Sequence, residues 1–396
     1  MQSNKDGYIE QYPHQIGISL FMSYLYQIFN TNDYMLIRII NVIANISMIL
    51  ALYQITKTLA QKYQVNPLIY FILITTFSPL ILLSTFVYGD YIGLAFASWG
   101  IYFAIRYTQK GYKVYNIITA AIFLLLAYII KMNYIIMTIA TAIYLILDII
   151  QTKERIAKKS ILIIIMLIIV IIPNTILMKI YSQKLECNEN KSISFPTYLY
   201  MGMSESYRAN GWYGHAIEQS WTDPEQAAKE YPHLIKERLI QMLQSPFYTI
   251  GFYYQKTISG WTDPMYASIW YNLAPEVKDV KIPQIENQLK YQIVNNYQKG
   301  LVLLIFLASF IALTKNRKNL SLEVIFLTTI FIGGFLFHTL WEMKTRYVLP
   351  FVILLIPLAT IGIEPIVNKV GEKVEFLKEE IKQKRKRKAE IKKLPN

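Results

Sequence analysis

Long apolar stretches constrain the fold of this chain more than any other feature of its sequence. A helix of about 20 mostly apolar residues can cross the hydrocarbon core of a bilayer. The 396-residue chain has candidate spans at residues 35–56, 66–84, 90–106, 114–131, 134–150, 160–181, 301–314, 321–340 and 347–366. The sequence therefore predicts an all-α polytopic membrane protein with about nine transmembrane helices. Residues 14–29 are apolar but too short for a span, and they predict a juxtamembrane helix at the interface.

Basic residues mark one side of the membrane. The net charge is +14, and 11 of the 40 Lys and Arg residues lie within the last 28 positions. Others fall in every second short loop, which is the positive-inside pattern of a membrane protein and not a nucleic-acid groove. We therefore expect an integral protein of a bacterial cell membrane, without a nucleic-acid partner. Its N-terminus is predicted outside and its C-terminus in the cytoplasm.

The spans and loops divide the chain into five predicted parts. They are an extracytoplasmic segment with the juxtamembrane helix (1–34), a six-span bundle (35–181), an extracytoplasmic loop domain (182–299), a three-span bundle (300–366) and a basic cytoplasmic tail (367–396).

The loop domain contains two helix start signals, and the tail contains apolar residues at helical spacing. Asp223-Pro224 and Ser245-Pro246 each join an N-cap residue to a proline at the first helical position. The helix from Pro224 toward Gln244 carries leucines among charges, which suits packing on the membrane surface. The tail favours either an amphipathic helix bound to membrane lipid or a solvated segment that fixes orientation, because apolar residues recur there at Val370, Val374, Leu377 and Ile381.

Cysteine usage gives no sign of a cofactor. Cys187 is the single cysteine, so it has no partner for an internal disulfide, and it matches no metal-ligand spacing. We expect no metal site and no bound cofactor, and a divalent cation is not indicated.

A charged hairpin separates the last two predicted spans. Glu342, Lys344 and Arg346 lie within HTLWEMKTRYVLP, residues 338–350. If the preceding helix continues through this segment, His338, Glu342 and Arg346 share one face at spacings of four residues. The alternative is a solvated loop tip.

Polar residues from four places in the sequence meet on the predicted outer face. Ionisable groups at membrane depth are costly and usually functional. Cations there can stabilise a departing phosphate, and a carboxylate can take the proton from an acceptor hydroxyl. The sequence predicts one shared site from Glu10, His14, Asp90, Lys131, Asn133, Glu342 and Arg346.

Several short motifs resemble those of polyprenyl-phosphate-sugar-dependent glycosyltransferases with the GT-C fold, a superfamily that includes protein mannosyltransferases and aminoarabinose transferases. The run IEQYPHQIGISLFMSYLYQIF resembles the end of the family's first outer loop and its next helix. The YGD at Asp90, the K-x-N at Lys131 and the RY-x-x-P at Arg346 resemble outer-face elements in the same order. The resemblance implies catalytic roles for Glu10 and Asp90. It implies donor-phosphate contacts for Lys131 and Arg346, with support from His14, Asn133 and Glu342.

The chain departs from the family pattern at its start. Family members begin with a first transmembrane helix, followed by an outer loop that carries an acidic residue, whereas this sequence begins within that loop. Asp6 lies too close to Glu10 to match the usual position. Either the start codon is assigned too late, or the chain is a truncated and inactive member.

The resemblance implies sugar transfer from a polyprenyl-phosphate-linked donor to an extracytoplasmic glycan, lipid or protein acceptor. One alternative is a transporter or flippase of a lipid-linked saccharide, for which internal repeats and paired broken spans are expected. Another is a surface-polysaccharide polymerase or ligase, which also combines many spans with one large outer loop.

Overall fold

The computed structural model describes residues 7–188, 191–206, 209–212, 215–273, 285 and 287–391. Every regular element in those ranges is helical, which confirms the predicted all-α polytopic membrane class. The longer helices are Ile16–Ile28, Met35–Tyr63, Leu68–Thr75, Asp90–Gln109, Val114–Ile130, Ile135–Thr152, Ile156–Lys184, Phe195–Gly202, His215–Thr222, Pro224–Gln244, Pro246–Trp261, Leu289–Lys315, Leu322–Leu340, Thr345–Ile353 and Ile356–Ile391. Shorter helical turns are Tyr8–Gln11, Pro13–Gln15, Pro79–Leu82, Leu83–Thr85, Met132–Tyr134 and Ser268–Leu273.

Each predicted span coincides with a helix or with a pair of helices joined by a bend. Among the described residues, five helices are long and apolar enough to cross a membrane, and seven spans result if each bent pair is one span. Val114–Ile130 is apolar but shorter. The prediction of nine spans therefore stays a prediction. The span expected at 301–314 belongs to a longer helix, Leu289–Lys315.

The juxtamembrane helix Ile16–Ile28 packs across the bundle. A Cβ at Gly17 would overlap the carbonyl oxygen of Ile129, so only glycine allows this close approach. Farther along the helix, the hydroxyl of Tyr24 lies 3.0 Å from that of Tyr181. The helix is thereby fixed beside the ends of Val114–Ile130 and Ile156–Lys184.

Asn41 holds the segment that leads to Asp90. Its buried side-chain amide donates hydrogen bonds to the main-chain oxygens of Ser84 (3.2 Å) and Phe86 (2.8 Å). A buried amide paired in this way fixes the turn Leu83–Thr85 and the backbone that directly follows it. The chain then enters the helix Asp90–Gln109 with Asp90 in its first turn.

The basic loops gather at the opposite end of the bundle. There the ammonium of Lys159 lies 2.8 Å from a carboxylate oxygen of Asp148, and both side chains are buried. The side-chain amide of Gln109 donates a hydrogen bond to Glu323 (3.1 Å). We call this the basic end, and the end with Asp90 the site end.

The two start signals in the loop domain lie where helices begin. The helix Pro224–Gln244 begins after Asp223, whose carboxylate accepts a hydrogen bond from the main-chain N–H of Gln226 (3.0 Å). The helix Pro246–Trp261 follows Ser245, which makes no side-chain cap. In the tail, Val370 and Ile381 are exposed, whereas the side chains of Val374 and Leu377 lie outside the described residues.

Candidate functional site

The charged hairpin is neither one continuous helix nor a solvated loop. The helix Leu322–Leu340 ends before Trp341, whose backbone is extended, and a new helix begins at Thr345. The expected shared face of His338, Glu342 and Arg346 is therefore wrong. Burial also excludes the solvated tip, because Glu342 and Arg346 are only 7% and 6% exposed. The hairpin folds back into the protein instead.

Asp90, Lys131 and Arg346 form a buried cluster at the site end. The ammonium of Lys131 pairs with one carboxylate oxygen of Asp90. The Nε atom of Arg346 lies 3.6 Å from the other oxygen. One carboxylate thus serves two cations, which leaves an excess positive charge in a low-dielectric setting. The Nε and Nη1 atoms of Arg346 are buried without a hydrogen-bond partner among the described residues, a costly state that a bound anion would relieve.

Aromatic rings surround the Arg346 guanidinium. Its central carbon lies 4.4 Å from the ring centroid of Tyr271, 4.6 Å from Phe86, 4.8 Å from Tyr88 and 5.4 Å from Tyr347. The negative faces of aromatic rings stabilise a cation, and they leave its N–H edge free to donate. We refer to Phe86, Tyr88, Tyr271 and Tyr347 as the aromatic box.

A small cavity lies on one side of the aromatic box. The cavity beside Phe86, Tyr88 and Arg346 has a volume of about 10 Å³, enough for one water-sized group. A phosphate is larger than this cavity, so it can enter there only if Phe86 or Tyr88 moves.

Glu342 and Lys344 form a second ion pair beside the cluster. Their side chains approach to 2.8 Å, and both are largely buried. Burial lowers the pKa of Lys344, but Tyr347 and Glu342 outweigh that effect and raise it above its ordinary value. Lys344 therefore stays charged at neutral pH. With two carboxylates and three cations, the site keeps one net positive charge.

His14 belongs to an aromatic group that lies against this pair. Its ring makes edge contacts with Tyr12 (5.9 Å between centroids) and Tyr198 (6.1 Å). Burial lowers the pKa of His14 to about 4, although Glu342 acts in the opposite direction. His14 is therefore a neutral imidazole at physiological pH.

Neither Glu10 nor Asn133 has a described side-chain contact with Asp90, Lys131 or Arg346. The carboxylate of Glu10 is 3.0 Å from the ammonium of Lys191 and accepts a hydrogen bond from the main-chain N–H of Asn188 (3.4 Å). These described contacts do not join Glu10 to Asp90. Asn133 lies in the short turn Met132–Tyr134 that follows Lys131. Catalytic and supporting roles for these two residues stay predictions.

Metal ligation has no structural support in the part of the chain that the structure describes. No group of three or more His, Cys, Asp and Glu side chains is arranged there to hold a metal ion.

Comparison with known families covers the first bundle. Residues 13–177 match the model of the family described as dolichyl-phosphate-mannose-protein mannosyltransferase. The matched residues, which make up less than half of the chain, are similar to this GT-C type glycosyltransferase family. The predicted resemblance is thereby confirmed, and it supports a membrane glycosyltransferase activity of a generally mannosyltransferase-like kind. No curated protein matches the chain.

The matched range contains part of the candidate site. His14, Asp90 and Lys131 lie within residues 13–177, whereas Arg346 and Glu342 lie outside it. The fold brings the two groups together, because the Nε atom of Arg346 in the hairpin lies 3.6 Å from a carboxylate oxygen of Asp90 in the matched range. The candidate site therefore combines the matched region with a later part of the chain.

Proposed function

We propose that this protein transfers a glycosyl group from a polyprenyl-phosphate-linked sugar to an acceptor hydroxyl. The observation that carries the proposal is the buried Asp90–Lys131–Arg346 cluster, with its excess positive charge and two unpartnered N–H groups on Arg346. In the reaction, the bond between the anomeric carbon and the phosphate oxygen breaks. A bond from that carbon to the acceptor oxygen forms, and polyprenyl phosphate leaves.

The cations stabilise the leaving group. A phosphodiester carries one negative charge, and the departing phosphate gains a second as the bond breaks. Arg346 can present two N–H groups to phosphate oxygens, and Lys131 adds a point charge. Because the side chains of Arg346 and Lys131 are largely buried, both cations act more strongly than they would in solvent.

Asp90 is assigned to hold the cations in place. A carboxylate paired with both Lys131 and Arg346 has a low proton affinity and is a poor general base. Glu342 has one ion-pair partner, Lys344, and it lies close enough to His14 to affect the pKa of that residue. We therefore propose Glu342 as the base for the acceptor proton, with Glu10 as the candidate from family resemblance.

The orientation follows from charge. Basic loops lie at the end of the bundle opposite the site, and such loops face the cytoplasm in membrane proteins. The site end is then extracytoplasmic, the N-terminus lies outside and the C-terminus inside. An outer-face glycan, lipid or protein would supply the acceptor hydroxyl.

The test is transfer by the purified full chain in nanodiscs. Polyprenyl-phosphate-linked mannose labelled in the sugar is supplied with a membrane extract as the source of acceptors, and both the label transferred to acceptor and the released polyprenyl phosphate are measured. We expect Arg346→Ala and Lys131→Ala to abolish release, and Lys229→Ala to retain it, because Lys229 is an exposed residue of the loop domain paired with Glu225. Full activity in both site variants would contradict the proposal.

The same assay separates the base candidates and the transporter alternative. Glu342→Gln is expected to lower the rate of release by about 100-fold or more, and Glu10→Gln to lower it less. The opposite order would assign the base to Glu10. Movement of the lipid-linked sugar across the bilayer of proteoliposomes, without release of polyprenyl phosphate, would identify a flippase instead.

A further inference from the structure

Lys256 is a buried cation that the proposed reaction does not use. It comes from the helix Pro246–Trp261 and is 1% exposed. Its ammonium donates hydrogen bonds to the main-chain oxygens of Gly202 (2.5 Å), Thr339 (2.8 Å) and Trp341 (2.9 Å). An ammonium has three N–H donors, so these carbonyl oxygens satisfy it completely.

The three carbonyls belong to the ends of two helices. Gly202 is the last residue of Phe195–Gly202, and Thr339 and Trp341 lie at the end of Leu322–Leu340. Terminal carbonyls lack partners within their own helix and carry partial negative charge. One lysine therefore caps two helices and joins the loop domain to the start of the charged hairpin.

Two glycines tighten the same contact. Gly211 has a φ of +76°, and a Cβ there would overlap the side chain of Lys256. The carbonyl oxygen of Gly211 accepts a hydrogen bond from the main-chain N–H of Met343 (2.9 Å). A Cβ at Gly202 would likewise overlap the backbone of Trp341. The loop domain thus holds residues 341–343 immediately before Lys344.

The charged form of Lys256 suits this role. Burial lowers the pKa of Lys256 to about 7, and Glu342 acts in the opposite direction. The ammonium can donate to all three carbonyl oxygens, whereas a neutral amine has only two N–H groups. The capped helix ends also favour a cation.

We propose that Lys256 is a positioning residue that fixes residues 341–343 and thereby places Lys344 and Arg346 in the site. This inference rests on the proposed function for its effect on donor binding, but its structural part stands alone. A displacement of about 1 Å in a binding group can reduce activity by roughly 100-fold.

The first test compares Lys256→Met with Lys229→Met in the full chain in nanodiscs. Hydrogen–deuterium exchange of peptides covering residues 336–345 is expected to become faster in Lys256→Met and to stay unchanged in Lys229→Met. The affinity for polyprenyl phosphate is expected to fall by roughly 10- to 100-fold in Lys256→Met only. Lys256→Arg keeps the charge and is expected to recover part of the loss.

The second test measures coupling to Arg346. If Lys256 acts by placing Arg346, the effect of Lys256→Met on polyprenyl phosphate affinity should be lost in an Arg346→Ala background. A merely structural role would weaken binding by the same factor in both backgrounds. Equal factors would therefore overturn the positioning role.

Two further outcomes are decisive. Unchanged exchange and unchanged affinity in a correctly inserted Lys256→Met would overturn the proposal. If that variant fails to fold, Gly211→Ala displaces the lysine without removing its charge, and unchanged exchange and affinity in Gly211→Ala would overturn the proposal in the same way. If the native chain neither binds polyprenyl phosphate nor transfers sugar, the proposed function fails, whereas the exchange comparison still decides whether Lys256 orders the hairpin.

Discussion

The guanidinium of Arg346 lies 4.4 Å from the ring centroid of Tyr271. Tyr271 belongs to the loop domain, so a residue of that domain directly contacts the Arg346 guanidinium. We expect Tyr271→Leu to weaken polyprenyl phosphate binding by roughly 2- to 30-fold, which corresponds to the usual strength of a cation–π contact. Tyr271→Phe keeps the ring and should bind nearly as the native chain does. Equilibrium binding in nanodiscs provides the measurement.

Tyr254 supplies the control for Tyr271. It is an aromatic residue of the same domain but is 67% exposed, so Tyr254→Leu should leave phosphate affinity unchanged. Equal losses in the two leucine variants would show that the effect does not come from the contact with Arg346.

Removal of Asp90 should destabilise the protein. Asp90→Asn leaves the Lys131 ammonium without its counter-charge, and an uncompensated buried charge costs about 3–5 kcal/mol. Adding Lys131→Met removes one of the two cations that Asp90 pairs with, and it should restore part of the stability without restoring transfer. Thermal unfolding followed by size-exclusion chromatography checks both variants. A double variant no more stable than Asp90→Asn would show that the ion pair does not account for the loss.

Loss of the buried Lys159–Asp148 pair at the basic end should lower the stability of the protein without changing its rate of sugar transfer. The ammonium of Lys159 contacts Asp148 and lies 3.8 Å from the ring centroid of Tyr112. Lys159→Met strands the Asp148 carboxylate, and we expect a cost of about 3 kcal/mol. The turnover per folded molecule of Lys159→Met should equal that of the native chain. Active-site titration together with thermal unfolding separates the two quantities, and a reduced turnover per folded molecule would contradict this prediction.

Acidification should destabilise the protein through His14. The pKa of His14 is lowered from 6.5 to about 4 by burial, so the unfolded chain binds the proton more readily than the folded protein. Stability is therefore lost as the pH falls from 6.5 toward 4. Between pH 7 and pH 5 we expect this residue to contribute a loss of about 1 kcal/mol, allowing for its partial exposure. His14→Gln should lose less stability than the native chain over the same range.

The difference in thermal stability between pH 7 and pH 5 is the quantity to compare. His233→Gln is the control, because His233 is a largely exposed residue of the loop domain. An identical pH dependence in the native chain and His14→Gln would rule out this contribution.

The turn between two helices of the loop domain should touch lipid. Leu243 and Phe247 are 81% and 89% exposed, and such a pair is costly in water. A nitroxide at Phe247→Cys, in a Cys187→Ser background, should be more accessible to oxygen than to a water-soluble nickel chelate. A nitroxide at Glu225→Cys should show the reverse. Equal chelate accessibility at the two positions would place the turn in water.

Local sequence signals predicted the elements well. The Asp223-Pro224 pair marks a helix start because the carboxylate can cap an N–H and proline lacks one, and both effects depend only on neighbours in sequence. The apolar stretches predicted the helices of the bundle because the apolar character of a stretch likewise depends only on residues close together in the sequence. The early start of Leu289–Lys315 was missed because its first turns carry lysines and amides among their apolar residues.

The site was only partly predictable. Alternating loop charge placed Asp90, Lys131 and Arg346 on one side, and the structure brings these three residues into contact. Phe86 and Tyr88 lie directly before Asp90 in FVYGD, so their presence near the site could have been read from that motif. Tyr271 and Lys256 come from the loop domain, and their contacts depend on tertiary packing that no local pattern reports.

The small cavity at Arg346 has a kinetic consequence. Because about 10 Å³ is free beside the guanidinium, a ring such as Tyr88 must swing aside to admit a phosphate and can close again when the phosphate leaves. A bound phosphate would fill the space that the cavity leaves for one water-sized group. The donor would then limit its own wasteful hydrolysis, because its phosphate takes the place beside the cation that a water molecule could otherwise occupy.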